Sequence, residues 1–348
     1  MLEFISVLPS TGDGTRLGGQ EPERLPSFTL LRDAALTAEA VGFQAALITT
    51  GHTNNHFDER VGYVDSVVTA SALIPVTDRL RLLLAIRPGS VDAALGARIG
   101  ATMDVFSNGR FLINVVCGAA PALMYGEVLD NSGRHERAAE FTQVLHLWWV
   151  QEKASFQGRY FTLREAKCWP KPVQRPHPPV YMSGSSPATL EIAARLADCL
   201  LLPGMRLYQA ADVAGTATRL AAEHGRRLRL GIHFYVIARA TRQQALEAAD
   251  EQVGHIAEAV RARLGGRAGT LAHSGSVYWT GMRRLWRGAS IALVGSYQEI
   301  AATLASYADA GFATFVISAY PACGETKRFG QEIIPRMSDG PAEEAEQD

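Results

Sequence analysis

A histidine and a tyrosine, His233 and Tyr235, stand two residues apart in the apolar segment RLRLGIHFYVIARA. In a strand, successive side chains point to opposite faces. Leu230, Ile232, Phe234 and Val236 then make one clean apolar face, and Gly231, His233, Tyr235 and Ile237 make the other. Burying such a polar pair is costly unless both groups are hydrogen-bonded. One reading is a satisfied polar layer within a core. The other is the lining of a pocket, where an imidazole and a phenol orient substrate or relay a proton. Placement on the inward face of a strand favours the pocket.

Further along the same logic, Ser183-Gly184-Ser185-Ser186-Pro187 leads into a helical Ala188–Leu196. A Gly/Ser turn entering a helix presents backbone N–H groups and hydroxyls at the positive end of the helix dipole, which makes an anion cradle. Plain capping by Ser186 with Pro187 in the first helical position serves equally well as an explanation. Asn114 interrupts the apolar run FLINVVCG, where an amide could contact a cofactor ring or staple a neighbouring loop. The segment from Thr49 to His56 is densely polar. His52 and His56 are four apart there, but no carboxylate accompanies them at a telling position. A barrel-mouth lining is therefore preferred to a metal site. Cys117 reads as a small hydrophobe and the Trp148–Trp149 pair as core or subunit interface. No Ser/His/Asp order, Walker motif or HExxH is present.

These residues need elements to hold them. Short β-rich runs occur at Glu3–Leu8, Phe43–Ile48, Arg81–Ile86, Phe111–Val116, Val180–Ser183, Asp198–Leu202, Arg229–Ala238 and Thr314–Ser318. Between them lie segments of helical period, Leu30–Val41, Tyr63–Ile74, Val91–Phe106, Ala138–Val150, Ala188–Leu196, Tyr208–His224, Gln243–Arg263 and Tyr297–Ala310. Alternation of this kind predicts βα units on a parallel sheet. Eight of each is the count of an α/β (β/α)8 TIM barrel with insertions after strands, at the C-terminal face where active sites form. The long connections are 9–27, 151–179 and 265–290. The second suggests a hairpin of Ala154–Gln157 with Tyr160–Leu163, and the Gly-rich third is a lid candidate. One domain over 1–337 is expected, followed by an acidic, disordered tail over 338–348.

The bulk properties narrow the partners. The 348 residues carry a formal net charge of −1, with 47% hydrophobic and 20% charged residues. There is no electrostatic case for nucleic acid or a membrane surface. Four cysteines without CxxC spacing suggest neither a zinc knuckle nor a disulfide framework. The N-terminus reads as a first strand rather than a signal peptide, and no apolar stretch reaches membrane-spanning length. A cytoplasmic setting is the expectation.

Set side by side, these positions give a chain that resembles the bacterial luciferase-like flavin monooxygenases. It is closest to the alkanesulfonate monooxygenases, with pyrimidine oxygenases more distant. The resemblance is carried by Leu8-Pro9…Gly12-Asp13-Gly14, Ser71-Ala72-Leu73-Ile74-Pro75-Val76-Thr77, Ser107-Asn108-Gly109-Arg110, Glu140-Phe141-Thr142-Gln143-Val144, His224-Gly225-Arg226, Ala292-Leu293-Val294-Gly295 and Ser318-Ala319-Tyr320-Pro321. It implies FMN used as FMNH2, delivered by a separate NAD(P)H-dependent flavin reductase, with O2 and a small-molecule substrate, in a homodimer or homotetramer. By matching position it places the flavin ring near Thr50, Gly51 and Asn114. The phosphate falls at Gly184, Ser185 and Ser186, with Arg134 and His135 closing over it; His135 stands where these families usually have Tyr.

The substrate end departs from the pattern. His233 and Tyr235 occupy an inward Arg-x-His position, Asn54 a usual Cys, and Leu202-Pro203-Gly204 the place of an expected Trp. Arg287 in the lid and Tyr320 after the last strand are retained. The resemblance thus implies catalytic roles for His233, Tyr235, Arg287 and Tyr320. Substrate contacts fall to His52, Asn54, His233 and Arg287. It implies oxidation of a small organosulfur compound, foremost a sulfonate cleaved at the C–S bond with sulfite release. Two alternatives stay open: an F420-dependent or flavin oxidoreductase on a non-sulfur substrate, and a flavin-binding protein without turnover.

Overall fold

The computed structural model describes residues 2–117, 126–253, 256, 262, 276–285 and 290–338. Twelve strands follow in chain order: β1 (Glu3–Val7), β2 (Ala45–Ile48), β3 (Arg81–Ile86), β4 (Phe111–Val115), β5 (Lys153–Gln157), β6 (Thr162–Lys167), β7 (Val180–Ser183), β8 (Cys199–Pro203), β9 (Arg229–Arg239), β10 (Tyr278–Trp279), β11 (Ala292–Ser296) and β12 (Phe312–Ser318). Eight of them run β9-β12-β1-β2-β3-β4-β7-β8 and close where β8 pairs with β9. All eight pairings are parallel, so the expected barrel is present with its eight strands at the expected places.

The ten described helices are α1 (Phe28–Ala40), α2 (Ser66–Leu73), α3 (Ala93–Phe106), α4 (Asn131–Val150), α5 (Pro187–Leu196), α6 (Leu207–Glu223), α7 (Arg242–Val253), α8 (Tyr297–Asp309), α9 (Ala322–Glu332) and α10 (Ile334–Ser338). Side chains that accept from the first turn fix several starts: Ser27 for α1, Asp92 for α3, Ser186 for α5, and Ser296 with Glu299 as a capping box for α8. α4 begins seven residues before the expected Ala138, because Asp130 accepts from the Gly133 N–H and starts a polar first turn. Of the helix expected to run on to Arg263, residues 254, 255, 257–261 and 263 lie outside the described residues.

Strand alternation divides the interior in two. Phe4, Leu82, Leu84, Phe111, Ile113, Ile232 and Phe234 face outward onto helix residues such as Leu31, Ala97, Phe141 and Ala193. Ile5, Leu47, Leu83, Ala85, Leu112, Leu201 and Val316 fill the lumen. At the N-terminal end of the lumen the buried Glu3 carboxylate accepts from Thr314 Oγ1 at 2.8 Å, Tyr181 Oη at 3.0 Å and Arg229 Nη2 at 3.1 Å, and it pairs with Arg81. A charge so far from water persists only with this density of partners.

β5 and β6 form the antiparallel hairpin expected in 151–179, although its pairing is Phe156↔Leu163 and runs on to Lys153↔Lys167. β9 outruns the barrel wall. Beyond the level of Tyr235 it pairs with β11, which the sequence reading missed as a strand, and β10 adds to β11 antiparallel. No helix among the described residues is long and apolar enough to cross a membrane.

Candidate active site

Toward the C-terminal end of the barrel the inward positions turn from apolar to polar. Asn114 lies two residues past Leu112 and pairs in register with Ala85; Ser183 lies two past Tyr181. Ser318 and His233 continue the same face from Val316 and Gly231. Ser183 Oγ donates to Asn114 Oδ1 at 2.9 Å, and His233 Nε2 lies 2.8 Å from Ser318 Oγ. The amide expected near a cofactor ring is thus buried on the lumen wall, and the strand-nine pair does face inward.

His233 and Tyr235 are not alone. Tyr235 Oη lies 3.1 Å from His56 Nε2, and His56 Nδ1 lies 2.9 Å from Thr11 Oγ1. The His56 ring is 4.9 Å from the Tyr320 ring, and the Tyr235 and Tyr320 rings stack at 6.4 Å. Four elements meet here: the loops after β1 and β2, strand β9 and the end of β12. Burial dominates the electrostatics, disfavouring every charged form. It lowers His56 to about 3, with the neighbouring His233 adding to the effect, and lowers His233 to about 4. It also pushes the Tyr235 and Tyr320 phenols well up. At neutral pH the cluster is four uncharged rings. A neutral imidazole donates from one nitrogen and accepts at the other. With a hydroxyl at each nitrogen, His56 can exchange tautomers and pass a proton between Thr11 and Tyr235 without acquiring charge.

Across the mouth lies the turn after β7. Gly184 sits at φ +142, and a Cβ there would come within 3.0 Å of Thr189 Oγ1, so this position needs glycine. The Gly184 N–H is bound by the Leu201 carbonyl at 3.0 Å. Ser186 Oγ accepts from the Thr189 N–H at 3.2 Å and lies 2.9 Å from Thr189 Oγ1. From α4, His135 Nε2 reaches Thr189 Oγ1 at 3.1 Å and Ser186 Oγ at 3.5 Å. The His135 Nδ1 faces the Asn131 carbonyl at 2.6 Å and so carries the proton, leaving Nε2 to accept. Arg134 beside it donates to Leu129 O at 2.7 Å, and its buried Nε has no hydrogen bond. His135 is thus brought to the Ser183–Ser186 turn, while the hydrogen bonds of Arg134 go to Leu129 O and Asn131 Oδ1.

The loop after β2 is arranged differently from the sequence expectation. Asn54 is fully buried at 0% exposure. Its amide donates to Thr11 O at 2.8 Å and Gly62 O at 3.0 Å, and its oxygen accepts from the His56 N–H at 2.9 Å and the Phe57 N–H at 2.8 Å. Asn54 holds the loop that carries His56. His52 is exposed at the rim, beside Arg87. Thr50 and Gly51 line the mouth next to Tyr63, whose hydroxyl donates to Thr49 Oγ1 at 2.5 Å. A Cβ on Gly51 would meet the Tyr63 ring at 2.5 Å. Cys117 is buried and its thiol is pushed up to about 11, which makes it inert. Arg287 and most of the lid candidate lie outside the described residues. No group of His, Cys, Asp and Glu fit to hold a metal occurs among the described residues.

A family model for luciferase-like monooxygenases matches residues 2–314. The chain belongs to that family. As a member, the protein is a flavin-dependent monooxygenase. Among solved structures, the monooxygenase is similar to riboflavin lyase with modified FMN and riboflavin, at TM-score 0.77 and 18% identity, covering 97% of this chain and 92% of that one. It is similar to EDTA monooxygenase from Chelativorans sp. BNC1, at TM-score 0.77 and 18% identity, covering 97% and 94%. A coenzyme F420 dependent tetrahydromethanopterin reductase from Methanopyrus kandleri gives TM-score 0.71 and 16% identity, covering 97% and 99%. At these identities the likeness is one of fold.

Sequence reasoning placed His56 only in the polar lining of the mouth and missed Thr11, Thr189, Tyr63 and Ser318 in the monooxygenase. Ser318 shares the inward parity of Val316 and was within reach of the alternation argument. Thr189 was hinted at by its place three residues after the capping serine. His56 had only its membership of a polar loop.

Proposed function

We propose that this flavin-dependent monooxygenase is a two-component enzyme that takes FMNH2 from a separate NAD(P)H-dependent reductase and oxidises a small organosulfur substrate, foremost a sulfonate. The balance is alkanesulfonate, O2 and FMNH2 to aldehyde, bisulfite, FMN and water. The observation that carries this reading is the opposition of two unlike walls across one mouth. One is the Ser183–Ser186 turn clasped by His135 and Thr189; the other is the uncharged His56, His233, Tyr235 and Tyr320 cluster.

The residues present suit a flavin phosphate. Gly184 opens the turn where a side chain would fill it, and Ser185 and Ser186 offer N–H and hydroxyl donors at the start of α5, with Arg134 one residue before the His135 that reaches the turn. Thr50, Gly51 and Asn114 would flank the ring system. Reduced flavin, when bound, supplies the two electrons that activate dioxygen. The protein supplies the rest. His233, held by Ser318, presents a neutral imidazole to the lumen. Tyr235 offers its hydroxyl proton, which the Thr11–His56 chain can replace. Tyr320 closes the pocket with an aromatic face that keeps water away. Arg287, from the lid, would meet an anionic group as it closes.

Anaerobic titration with FMNH2, FMN and F420H2, followed by a sulfite-release screen over a panel of sulfonates with a generic flavin reductase present, tests the proposal. FMNH2 binding with sulfite release is expected. Preference for F420H2, or turnover only of compounds without sulfur, would replace it with the same-fold oxidoreductase reading. Binding without turnover of any substrate would leave a flavin-binding protein.

A further inference from the structure

The inward face of β3 runs through Leu83 and Ala85, both in the lumen core, and its next position is Arg87, one residue past the strand. Arg87 is half-buried at the mouth. Its electrostatic neighbours are Tyr63, His52, Arg134 and Glu127. The only carboxylate of the four, Glu127, is already paired with Arg137. Arg137 also donates to the Pro88 carbonyl at 2.8 Å, which pins the chain just after Arg87. Among the described residues, no hydrogen bond or ion pair is made by the Arg87 guanidinium.

A half-buried guanidinium keeps part of its hydration, and a bound anion would replace the part that it has lost. Burial here lowers the Arg87 affinity for its proton, and Arg134 lowers it further. Arg87 and Arg134 thus lie close to one another, and the one carboxylate among the neighbours of Arg87 is already paired. Arg87 stands on the β2–β3 side of the mouth, next to the loop residues His52 and Tyr63, whereas the phosphate turn follows β7. Arg134, a neighbour of Arg87, directly precedes the His135 that clasps the turn, so the two positive regions adjoin.

We propose that Arg87 binds the oxyanion of the substrate, a sulfonate or similarly shaped tetrahedral anion, by a bidentate contact with His52 at its rim. This rests on the organosulfur reading above. It supplies a charge that is missing where His233 stands in place of an arginine: the guanidinium follows β3 instead of standing on β9. A forked guanidinium matches two oxygens of such a group.

Calorimetric titration of the full-length protein loaded with FMN tests it, using methanesulfonate, octanesulfonate, sulfate, phosphate, octanoate and octan-1-ol. The wild-type protein should bind the sulfonates and not the alcohol. Arg87→Gln should weaken sulfonate binding at least ~10-fold with FMN affinity within ~2-fold, and Arg87→Lys should fall between. Unchanged sulfonate affinity in Arg87→Gln overturns the proposal. So does a wild-type protein that binds none of the anions. Loss of FMN affinity without loss of riboflavin affinity in Arg87→Gln assigns the cation to the cofactor phosphate and also overturns it. If phosphate or octanoate binds in place of sulfonates and Arg87→Gln weakens that binding, Arg87 keeps its role and the sulfonate reading falls. Protection of Arg87 in the wild-type protein from phenylglyoxal by octanesulfonate, read by peptide mass, needs no variant; absence of protection counts against the proposal.

Discussion

Tyr235 Oη and His56 Nε2 lie 3.1 Å apart although 179 residues separate them in the chain. The contact joins a rigid barrel strand to a loop, and the loop is itself fastened by Asn54. His56→Ala removes one partner of a buried phenol and leaves Thr11 facing a void. Loss of a buried hydrogen bond of this kind costs ~1–3 kcal/mol. His56→Gln, which can still reach one hydroxyl, should restore much of the stability. It cannot exchange tautomers, so it should keep a lowered kcat with little change in KM. Thermal unfolding and steady-state kinetics on the same pair of variants separate the two effects.

Phe at position 235 keeps the ring stack with Tyr320 and deletes only the hydroxyl. Tyr235→Phe should fold with a melting temperature near that of the parent and lose at least ~10-fold in kcat, in line with a proton-transfer contribution. A variant with full kcat would remove Tyr235 from the chemistry and leave it as packing.

Acid should destabilise this protein earlier than its carboxylates alone would predict. His56 is held near 3 and His233 near 4 in the folded chain, against 6.5 as the ordinary value. Between those values the unfolded chain binds more protons than the folded one, so stability rises with pH across that window. It is fully present above about 6.5 and is lost as pH falls toward about 4 for His233 and about 3 for His56, at ~1.4 kcal/mol per pH unit for each proton involved. Unfolding by urea at pH 7, 6 and 5 should show the slope, and His233→Asn should flatten it.

The phosphate turn separates FMN from riboflavin. Ser186→Ala removes a helix cap worth ~1 kcal/mol and a hydroxyl of the cradle. It should weaken FMN binding several-fold and riboflavin binding hardly at all. Gly184→Ala forces a side chain into a φ of +142 against Thr189, and should do the same more severely. Fluorescence titration with both flavins measures the difference; equal losses for the two would place the phosphate elsewhere.

Asn54→Ala tests whether that residue is scaffold. Its four hydrogen bonds to backbone are buried, so their loss should lower stability by ~2–4 kcal/mol, as breaking a buried network does. A stable variant with altered substrate selection would return Asn54 to the substrate contacts implied by its position.

Much of this was legible in the sequence because strands print their alternation. Gly231, His233, Tyr235 and Ile237 against Leu230, Ile232, Phe234 and Val236 announced an inward polar pair, and the inward pair is what the barrel shows. The Ser-Gly-Ser-Ser-Pro turn was equally plain, since its residue types are those an N-terminal helix turn requires. Loops carry no such period. Within Thr49–His56 nothing marks Asn54 as the staple and His56 as the inward ring; an Asn that bonds nearby backbone and one that touches substrate read alike. α9 escaped notice because Gly324 and Gly330 dilute its helical signal, although Gly330 is there to admit Val41. β11, at five residues, is short and pairs with the overhang of β9 and with β10, outside the ring of eight.

The ionic knot of Glu3, Arg81, Arg229 and Tyr181 has a consequence for traffic. With the N-terminal end of the barrel stoppered by charge and the lumen above it filled by Ile5, Leu83, Leu112 and Val316, the described residues leave that side closed. On the proposed reading, cofactor and substrate both approach from the C-terminal mouth, between the Ser183–Ser186 turn and the His56 cluster, and each narrows the way for the other.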